Sequence, residues 1–162
     1  MQKTVDYWVE HLNLLPHPEG GFYKETYRSE TVLEPFEEGK KRNLCTGIYF
    51  LITKGNFSAF HRIKSDEMWH FYAGSPLTVH VIDQEKKYYT LTIGIELEKG
   101  QTPQAIVPAG AWFASESSGD YSLVGCTVSP GFDFEDFELA ERTELSKLFP
   151  QQTSIIQGLT RL

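Results

Sequence analysis

Between residues 44 and 128 the chain alternates short apolar runs with polar or glycine-containing turns, a pattern typical of antiparallel β-sheet proteins. An earlier segment turns on Gly20 and Gly21 and then continues as a strand to Arg28. Eight or nine short strands with no helix between them predict an antiparallel sandwich or barrel. The strands predicted after residue 43 are 44–53, 58–63, 67–72, 77–82, 88–95, 103–107, 111–116 and 121–128.

Helical periodicity is confined to the two ends of the chain. Apolar residues recur at i, i+3, i+4 and i+7 from Val5, which predicts an amphipathic helix over residues 4–14 with Thr4 as its N-cap. Two short helices are predicted near the C-terminus, over residues 141–149 and 154–162.

Two segments carry no regular pattern. Residues 30–43 are polar and are predicted to form an exposed loop, in which the charged run EEGKKR is a solvated turn. Residues 132–139 alternate phenylalanines with acids and are predicted to form an edge strand or a structured arm, and not a ligand site. With no repeat and no change in composition, residues 1–162 are expected to form one domain.

The composition excludes several kinds of partner. The chain carries 15 basic and 22 acidic residues, and this net charge of −7 disfavours binding to nucleic acid or to an anionic membrane. No apolar run approaches the roughly twenty residues of a membrane-spanning helix, and no signal peptide is recognised. Cys45 and Cys126 lie in apolar runs without a CxxC motif, which favours buried free thiols and a cytoplasmic location.

The stretch GNFSAFHRIKSDEMWHFYAG, residues 55–74, carries the candidate chemistry. It predicts two short strands joined by a polar turn, and strand alternation places His61 on an apolar face of the first and Glu67 on an apolar face of the second. Burying both groups costs several kcal/mol unless they pair, bind a ligand or change protonation state. A core histidine tied to Glu67 is one explanation, and a pocket that uses both groups is the other.

These residues also resemble the first motif of the cupin superfamily. Gly55, His61, Glu67 and Gly74 stand at G-x5-H-x5-E-x6-G, but Ile63 stands where the family has its second histidine. The second cupin motif is matched in part by the segment PAGAW, residues 108–112. The positions that would complete that motif hold other residues, namely Phe113 for the histidine, Ser117 for the asparagine and Thr102 for the preceding glycine.

A wider resemblance covers nearly the whole chain. The blocks HPEGGFYKETYRS, GIYFLI, FSAFHRIKSDEMWHFYAGSPL, VPAGAWFAS and SLVGCTVSPGFDFEDFEL resemble cupin subfamily five, a largely uncharacterised group. The resemblance implies a mainly β fold, a cupin jelly-roll β-barrel, here with an N-terminal helix and short C-terminal helices. It also implies a homodimer, a single pocket inside the barrel, and a fold similar to that of deoxysugar epimerases that work without a metal.

The changed motif positions bear on the cofactor. A metal centre of the usual cupin kind needs three or four converging donors, and His61 and Glu67 supply two. Glu25 or His70 could add a donor, although strand alternation turns His70 away from Glu67. We therefore expect no metal and no other cofactor.

The function favoured by this pattern is binding of a small polar, sugar-like metabolite. His61 and Glu67 are the candidate catalytic residues, acting as general acid and base in a metal-independent epimerase or isomerase of a sugar or nucleotide-sugar. Two alternatives stay open: a metal-dependent cupin enzyme with a depleted ligand set, and a non-catalytic binding or scaffold module.

Six further side chains are candidates for substrate binding. Strand alternation predicts that four aromatic residues share the inner face of the barrel, namely Trp69, Phe71, Phe113 and Phe57. They form either a stacking wall for the ring of a ligand or ordinary core packing. The strand after Gly21 places Tyr23, Glu25 and Tyr27 on one face and Arg28 on the other. Arg28 is a candidate clamp for a phosphate or carboxylate, and an ion pair with a glutamate is its alternative role. The six candidates are Tyr23, Glu25, Arg28, Trp69, Phe71 and Phe113.

Overall fold

The computed structural model describes residues 2–18 and 20–162. Its α-helices are α1 (Val5–Leu12), α2 (Arg142–Leu148) and α3 (Thr153–Gly158). The Thr4 hydroxyl caps α1 by accepting a hydrogen bond from the backbone N–H of Tyr7 at 3.2 Å. Short 3-10 turns cover Leu97–Lys99, Phe134–Asp136 and Pro150–Gln152.

The described residues contain thirteen strands. They are β1 (Leu15–Pro16), β2 (Phe22–Arg28), β3 (Val32–Leu33), β4 (Arg42–Asn43), β5 (Thr46–Thr53), β6 (Phe57–Arg62), β7 (Asp66–Gly74), β8 (Leu77–Ile82), β9 (Tyr88–Ile93), β10 (Gln104–Val107), β11 (Trp112–Ser117), β12 (Tyr121–Ser129) and β13 (Glu138–Leu139).

Two antiparallel sheets form the barrel. The six-stranded sheet has the order β1-β2-β5-β12-β7-β10, the five-stranded sheet has the order β13-β6-β11-β8-β9, and β3 and β4 form a small ribbon. The main hydrophobic core lies between the two sheets, with Phe50 and Trp69 from one and Val81 and Phe113 from the other. The predicted mainly β jelly-roll barrel, with an N-terminal helix and short C-terminal helices, is confirmed.

The helices cover the outer faces of the barrel. Val5, Trp8 and Val9 of α1 pack against Leu51 and Leu123 of the six-stranded sheet. A second cluster, formed by Phe60 and Trp112 with Leu145, Phe149 and Ile156, joins α2 and α3 to the five-stranded sheet. Both inner and outer sheet faces are therefore buried, which explains the nearly continuous apolar runs in the sequence.

β-Bulges change which side chains face inward. Between Ser58 and His61, β6 contains one residue more than the paired segment of β11. Ser58 and His61 therefore both face the interior, while Phe57 packs in the outer cluster. The predicted inward position of Phe57 is therefore wrong. An extra residue in β2 at Thr26 likewise turns Arg28 toward the interior, on the side of Glu25, and leaves Tyr27 exposed.

The charged run in residues 37–42 is not simply a solvated turn. Arg42 is only 6% exposed and makes a two-pronged ion pair with Asp136, with Nε to Oδ2 at 2.7 Å and Nη2 to Oδ1 at 2.8 Å. Glu135 and Asp133 add weaker contacts to the same guanidinium. The pairing partner lies 94 residues away, so local charge patterning did not indicate it.

These contacts fix the segment 131–139, called the arm below, across one end of the barrel. Its first part is held by backbone N–H bonds from Gly131 to the Asn43 carbonyl at 2.7 Å and from Phe132 to the Thr46 hydroxyl at 2.9 Å. The structure thus confirms a structured arm, in which only Glu138 and Leu139 pair as a strand with β6.

Candidate functional site

A cavity of about 400 Å³ opens at the end of the barrel that the arm covers. Its walls come from both sheets, from the arm, and from His17 in the turn between β1 and β2. The lining residues are His17, Tyr23, Glu25, Arg28, Thr46, Ile48, Phe50, Ser58, His61, Ile63, Glu67, Trp69, Cys126, Val128, Phe132, Asp133, Phe134 and Phe137.

His61 lies on the wall formed by the five-stranded sheet. Its Nδ1 lies 2.7 Å from the Ala59 carbonyl oxygen. Because a carbonyl oxygen can only accept, Nδ1 carries the hydrogen and Nε2 keeps its lone pair in the neutral ring. Burial lowers the pKa of His61 to about 4, against the smaller raising effect of the Ala59 hydrogen bond. At pH 7 this histidine is a neutral hydrogen-bond acceptor.

Glu67 lies on the opposite wall, near the start of β7. Its side chain is 8% exposed, and its Oε2 has no hydrogen-bond partner within residues 2–18 and 20–162. Burial raises the pKa of Glu67 to about 8, since the ionised form would lose its hydration. At pH 7 the carboxyl is therefore largely protonated and can donate. The Nδ1 hydrogen bond of His61 goes to Ala59 and not to this group.

His17 is a lining residue that the sequence analysis did not identify. Its ring makes edge contacts with Tyr23 at 4.8 Å and with Phe50 at 5.0 Å between ring centroids. Burial, and to a smaller extent the positive charge of His61, lower the pKa of His17 to about 4. The block HPEGG that begins with His17 was the only signal, and it gives no indication of where the ring points.

Aromatic side chains make up much of the remaining wall. Trp69 and Tyr23 line the cavity as predicted, together with Phe50. The arm adds Phe132, Phe134 and Phe137, whose ring centroids lie 5.0 to 6.3 Å apart. Phe134 is 61% exposed although it faces the cavity, which places it at the mouth. Sequence analysis missed the arm as part of the wall.

Glu25 and Arg28 both reach the cavity, but they pair with each other. Arg28 donates to Glu25 Oε1 from Nη2 at 2.6 Å and from Nε at 3.1 Å. Its Nη1 donates to Asn43 Oδ1 at 2.8 Å and to the Phe132 carbonyl at 3.2 Å. The ion pair given as the alternative role of Arg28 is observed, and the hydrogen bond from Arg28 to the Phe132 carbonyl ties the arm to β2.

Two predicted binding residues do not line the cavity. Phe113 is buried in the main core, with its ring 4.1 Å from that of His61 and 6.3 Å from that of Trp69. Phe71 shares its face with Trp69 but lies further along β7, opposite Val124 of β12. Phe113 therefore supports the wall from behind, and Phe71 packs on the core beyond it.

The residues present do not fit a cupin metal centre. The second and fourth ligand positions hold Ile63 and Phe113, whose buried side chains offer no donor atom. His70 points away from the cavity, where it contacts the Thr127 hydroxyl and the Gln104 amide. Within residues 2–18 and 20–162, no three His, Cys, Asp or Glu side chains are grouped so as to hold a metal ion.

The remaining sequence predictions concern the thiols and the membrane. Cys126 and Cys45 are free cysteines, with Cys126 buried in the cavity wall and Cys45 half-buried. Burial raises the pKa of Cys126, which keeps it in the unreactive thiol form. In the part of the chain that the structure describes, no helix has the length and apolar character needed to cross a bilayer.

Comparison with known proteins gives consistent matches. The family described as Cupin superfamily (DUF985) matches residues 6–140. An uncharacterized protein of Saccharomyces cerevisiae, YML079W, is 28% identical over 160 residues, which cover 84% of this chain and 73% of that protein.

Two solved structures are similar over almost their full length. A hypothetical protein from Leishmania major is 39% identical, with a TM-score of 0.92 over 99% of this chain and 100% of that chain. Protein SO0799 from Shewanella oneidensis is 43% identical, with a TM-score of 0.89 over 99% of each chain. The names of these relatives state no activity, so the function must be argued from the cavity.

Proposed function

Since the chain belongs to the Cupin superfamily (DUF985), we propose that its barrel cavity binds one small metabolite and that Glu67 and His61 move protons on it. The observation that carries this proposal is the buried Glu67 carboxyl, which faces the cavity with an oxygen that no described residue bonds. A buried polar group without a partner costs about 1–3 kcal/mol, and a ligand that pairs with it recovers this loss.

The two groups have complementary protonation states at neutral pH. The protonated Glu67 can donate to a carbonyl oxygen, and Nε2 of His61 can accept a proton from the adjacent carbon. An acid at the oxygen and a base at the carbon are the two requirements of enolisation, the shared first step of many epimerisations and isomerisations. The low pKa of His61 makes it a weak base, so the reaction depends on the carbon acidity that the Glu67 hydrogen bond confers.

The positions of His61 and Glu67 support a ligand bound between them. His61 projects from the five-stranded sheet and Glu67 from the six-stranded sheet, so a molecule in the cavity contacts them from opposite sides. This arrangement supports action on a carbon and its neighbouring carbonyl in one bound pose.

The walls favour a compact and uncharged substrate. A volume of about 400 Å³ lies near the lower end of the roughly 300–1,000 Å³ that is usual for ligand sites. Aromatic rings line it, and the nearest guanidinium, that of Arg28, is committed to Glu25. We propose a single ring or short hydroxy ketone, including a simple sugar, in preference to a nucleotide-sugar held entirely inside.

Solvent exchange on a panel of small carbonyl compounds tests this proposal. The protein is incubated in D₂O with simple ketose and aldose sugars and with ring ketones that carry an oxygen substituent beside the carbonyl. Mass spectrometry then measures deuterium incorporation. We expect exchange on at least one compound, reduced about 100-fold in Glu67→Gln and His61→Gln. His11→Gln, in the exposed helix α1, is the matched control and should exchange at the wild-type rate.

The result also separates the alternative functions. Retention of a compound in native mass spectrometry without exchange would favour a binding module, a candidate that the low basicity of His61 supports. Exchange that requires an added divalent metal would favour the metal-dependent alternative. Exchange at the wild-type rate in both variants would refute the roles of Glu67 and His61.

A further inference from the structure

We propose that His17 is a second proton-transfer residue, which faces His61 across the cavity and serves the opposite face of the bound substrate. The inference rests on the proposed function and adds to it the stereochemical outcome. It assigns the site to reactions that invert a carbon next to a carbonyl, and not only to reactions that exchange its proton.

The backbone around His17 is fixed. Its N–H donates to the Gly21 carbonyl at 2.9 Å, and its carbonyl accepts from the Gly20 N–H at 3.1 Å. Gly21 has a φ of +76°, and a Cβ there would lie 2.5 Å from the Leu51 carbonyl oxygen of β5. The turn therefore lies directly against the six-stranded sheet, and the backbone of His17 is held there.

The ring of His17 belongs to the wall opposite His61. It contacts Tyr23 of β2 and Phe50 of β5, both in the six-stranded sheet. His61 projects from the five-stranded sheet between the rings of Phe113 and Phe137. Both imidazoles line the same cavity of about 400 Å³, so a single bound ring lies between them.

The proton balance closes with these residues and solvent. His61 takes the proton from carbon, its electron pair forms the carbon–carbon double bond, and Glu67 gives its proton to the carbonyl oxygen. This leaves an enol, one imidazolium and one carboxylate. The imidazolium proton either returns to the same face or passes through solvent to His17, which delivers it to the opposite face, while Glu67 recovers its proton from the enol oxygen.

The two imidazoles also regulate one another. The positive charge of His61 disfavours a charge on His17, so His17 stays neutral while His61 holds the proton taken from carbon. At each step of inversion one ring therefore carries that proton and the other ring is neutral. For the opposite enantiomer the roles of His17 and His61 are exchanged.

The enantiomers of 2-methoxycyclohexanone are a suitable probe, because this uncharged ring ketone has one stereocentre beside its carbonyl. Deuterium incorporation at that carbon is measured by mass spectrometry for each enantiomer, and inversion by chiral gas chromatography. Wild-type protein should exchange and invert both enantiomers. His17→Gln should lower the exchange of one enantiomer about 100-fold, leave the other within about threefold and abolish inversion. His61→Gln should show the reverse preference.

Controls distinguish the possible failures. His17→Asn is measured in parallel, and thermal melting of each variant shows whether it is folded. An equal loss for both enantiomers in folded His17 variants, or no loss for either, would overturn the role of His17 while leaving proton transfer by Glu67 and His61 intact. A wild-type protein inert toward both enantiomers but active on a sugar of the panel would overturn the role of His17 on ring ketones, whereas inertness toward the whole panel would overturn the proposed proton transfer as well.

Discussion

Glu67 and the two cavity histidines show how burial changes the protonation of single residues. The same desolvation raises the pKa of the acid and lowers the pKa of both imidazoles, so all three groups are largely uncharged near pH 7. These three groups therefore give the cavity one donor and two weak bases, none of which is charged. This neutrality suits an uncharged ligand and ties the stability of the fold to pH.

We predict a loss of stability between pH 6.5 and 8. A carboxyl whose folded-state pKa is raised favours folding at low pH, and this contribution is lost as pH rises from the unfolded pKa of 4.5 to the folded value of about 8. Over the same window His17 and His61 act in the opposite direction, because the unfolded histidines, with a pKa of 6.5, lose their remaining protons and each adds about 0.4 kcal/mol of stability. The free energy of unfolding should therefore fall by about 1 kcal/mol in total.

Urea denaturation at closely spaced pH values measures this slope. Glu67→Gln keeps the shape and removes the titrating carboxyl, so its unfolding free energy should rise by about 0.8 kcal/mol from pH 6.5 to 8 as the unfolded histidines lose their protons. Below pH 6.5 the depressed pKa values of His17 and His61 act in the other direction, and stability should fall toward pH 4 in both proteins. The same slope in wild type and variant would show that Glu67 is already ionised at pH 6.5.

At this scale the sequence predicted part of the site. Alternation along the strands placed His61 and Glu67 inside the barrel, since a sheet with a buried face fixes every second residue. It could not place His17, because the residue lies in a non-periodic turn and meets the cavity only through packing of that turn on β5. It also could not show that Arg28 pairs with Glu25, because the two side chains meet only through the bulge in β2.

At the scale of elements, the hydrophobic pattern predicted where the strands are, but it did not predict the bulges that decide which way their side chains point. The predicted strand 77–82 matches β8 residue for residue, and most others shift by one or two positions. The bulges in β2 and β6 leave no clear mark in the sequence, yet they decide that Arg28 and Ser58 face the cavity. Period-two reasoning is therefore valid up to a bulge and reversed beyond it.

The arm provides an element-scale prediction. Arg42→Met leaves the buried carboxylate of Asp136 with only the more distant Lys64 ammonium at 3.9 Å, so the free energy of unfolding should fall by about 3 kcal/mol. Adding Asp136→Asn should recover a large part of this loss, because the remaining polar group is then uncharged. Chemical denaturation of the single and double variants measures both effects.

A matched control uses an exposed pair. Lys147→Met removes the contact with Glu144 on the surface of α2 and should leave stability unchanged. If Arg42→Met were as stable as the Lys147 variant, the arm would not depend on the buried ion pair. If the variant with both Arg42→Met and Asp136→Asn were as stable as wild type but no longer retained a ligand, the ion pair would instead act on the shape of the cavity mouth.

For the molecule as a whole, the expected homodimer stays a prediction. Three exposed apolar side chains lie on neighbouring, hydrogen-bonded segments of the chain: Tyr27 in β2, Val32 in β3 and Leu44 directly after β4. A patch of this kind is typical of a contact with another chain. Sedimentation equilibrium should give twice the 18.5 kDa chain mass, and Tyr27→Lys should shift the protein toward one chain. A single-chain mass for wild type at all concentrations would contradict the dimer.

The arm also separates two duties along one short segment. Its phenylalanines, Phe132, Phe134 and Phe137, face the cavity, whereas Asp136 pairs with Arg42. Because different side chains line the cavity and anchor the arm, the aromatic positions are open to exchange while the anchor stays in place. Related chains can thus diversify what they bind by substitution at three sites, and a designer can alter selectivity there without rebuilding the barrel.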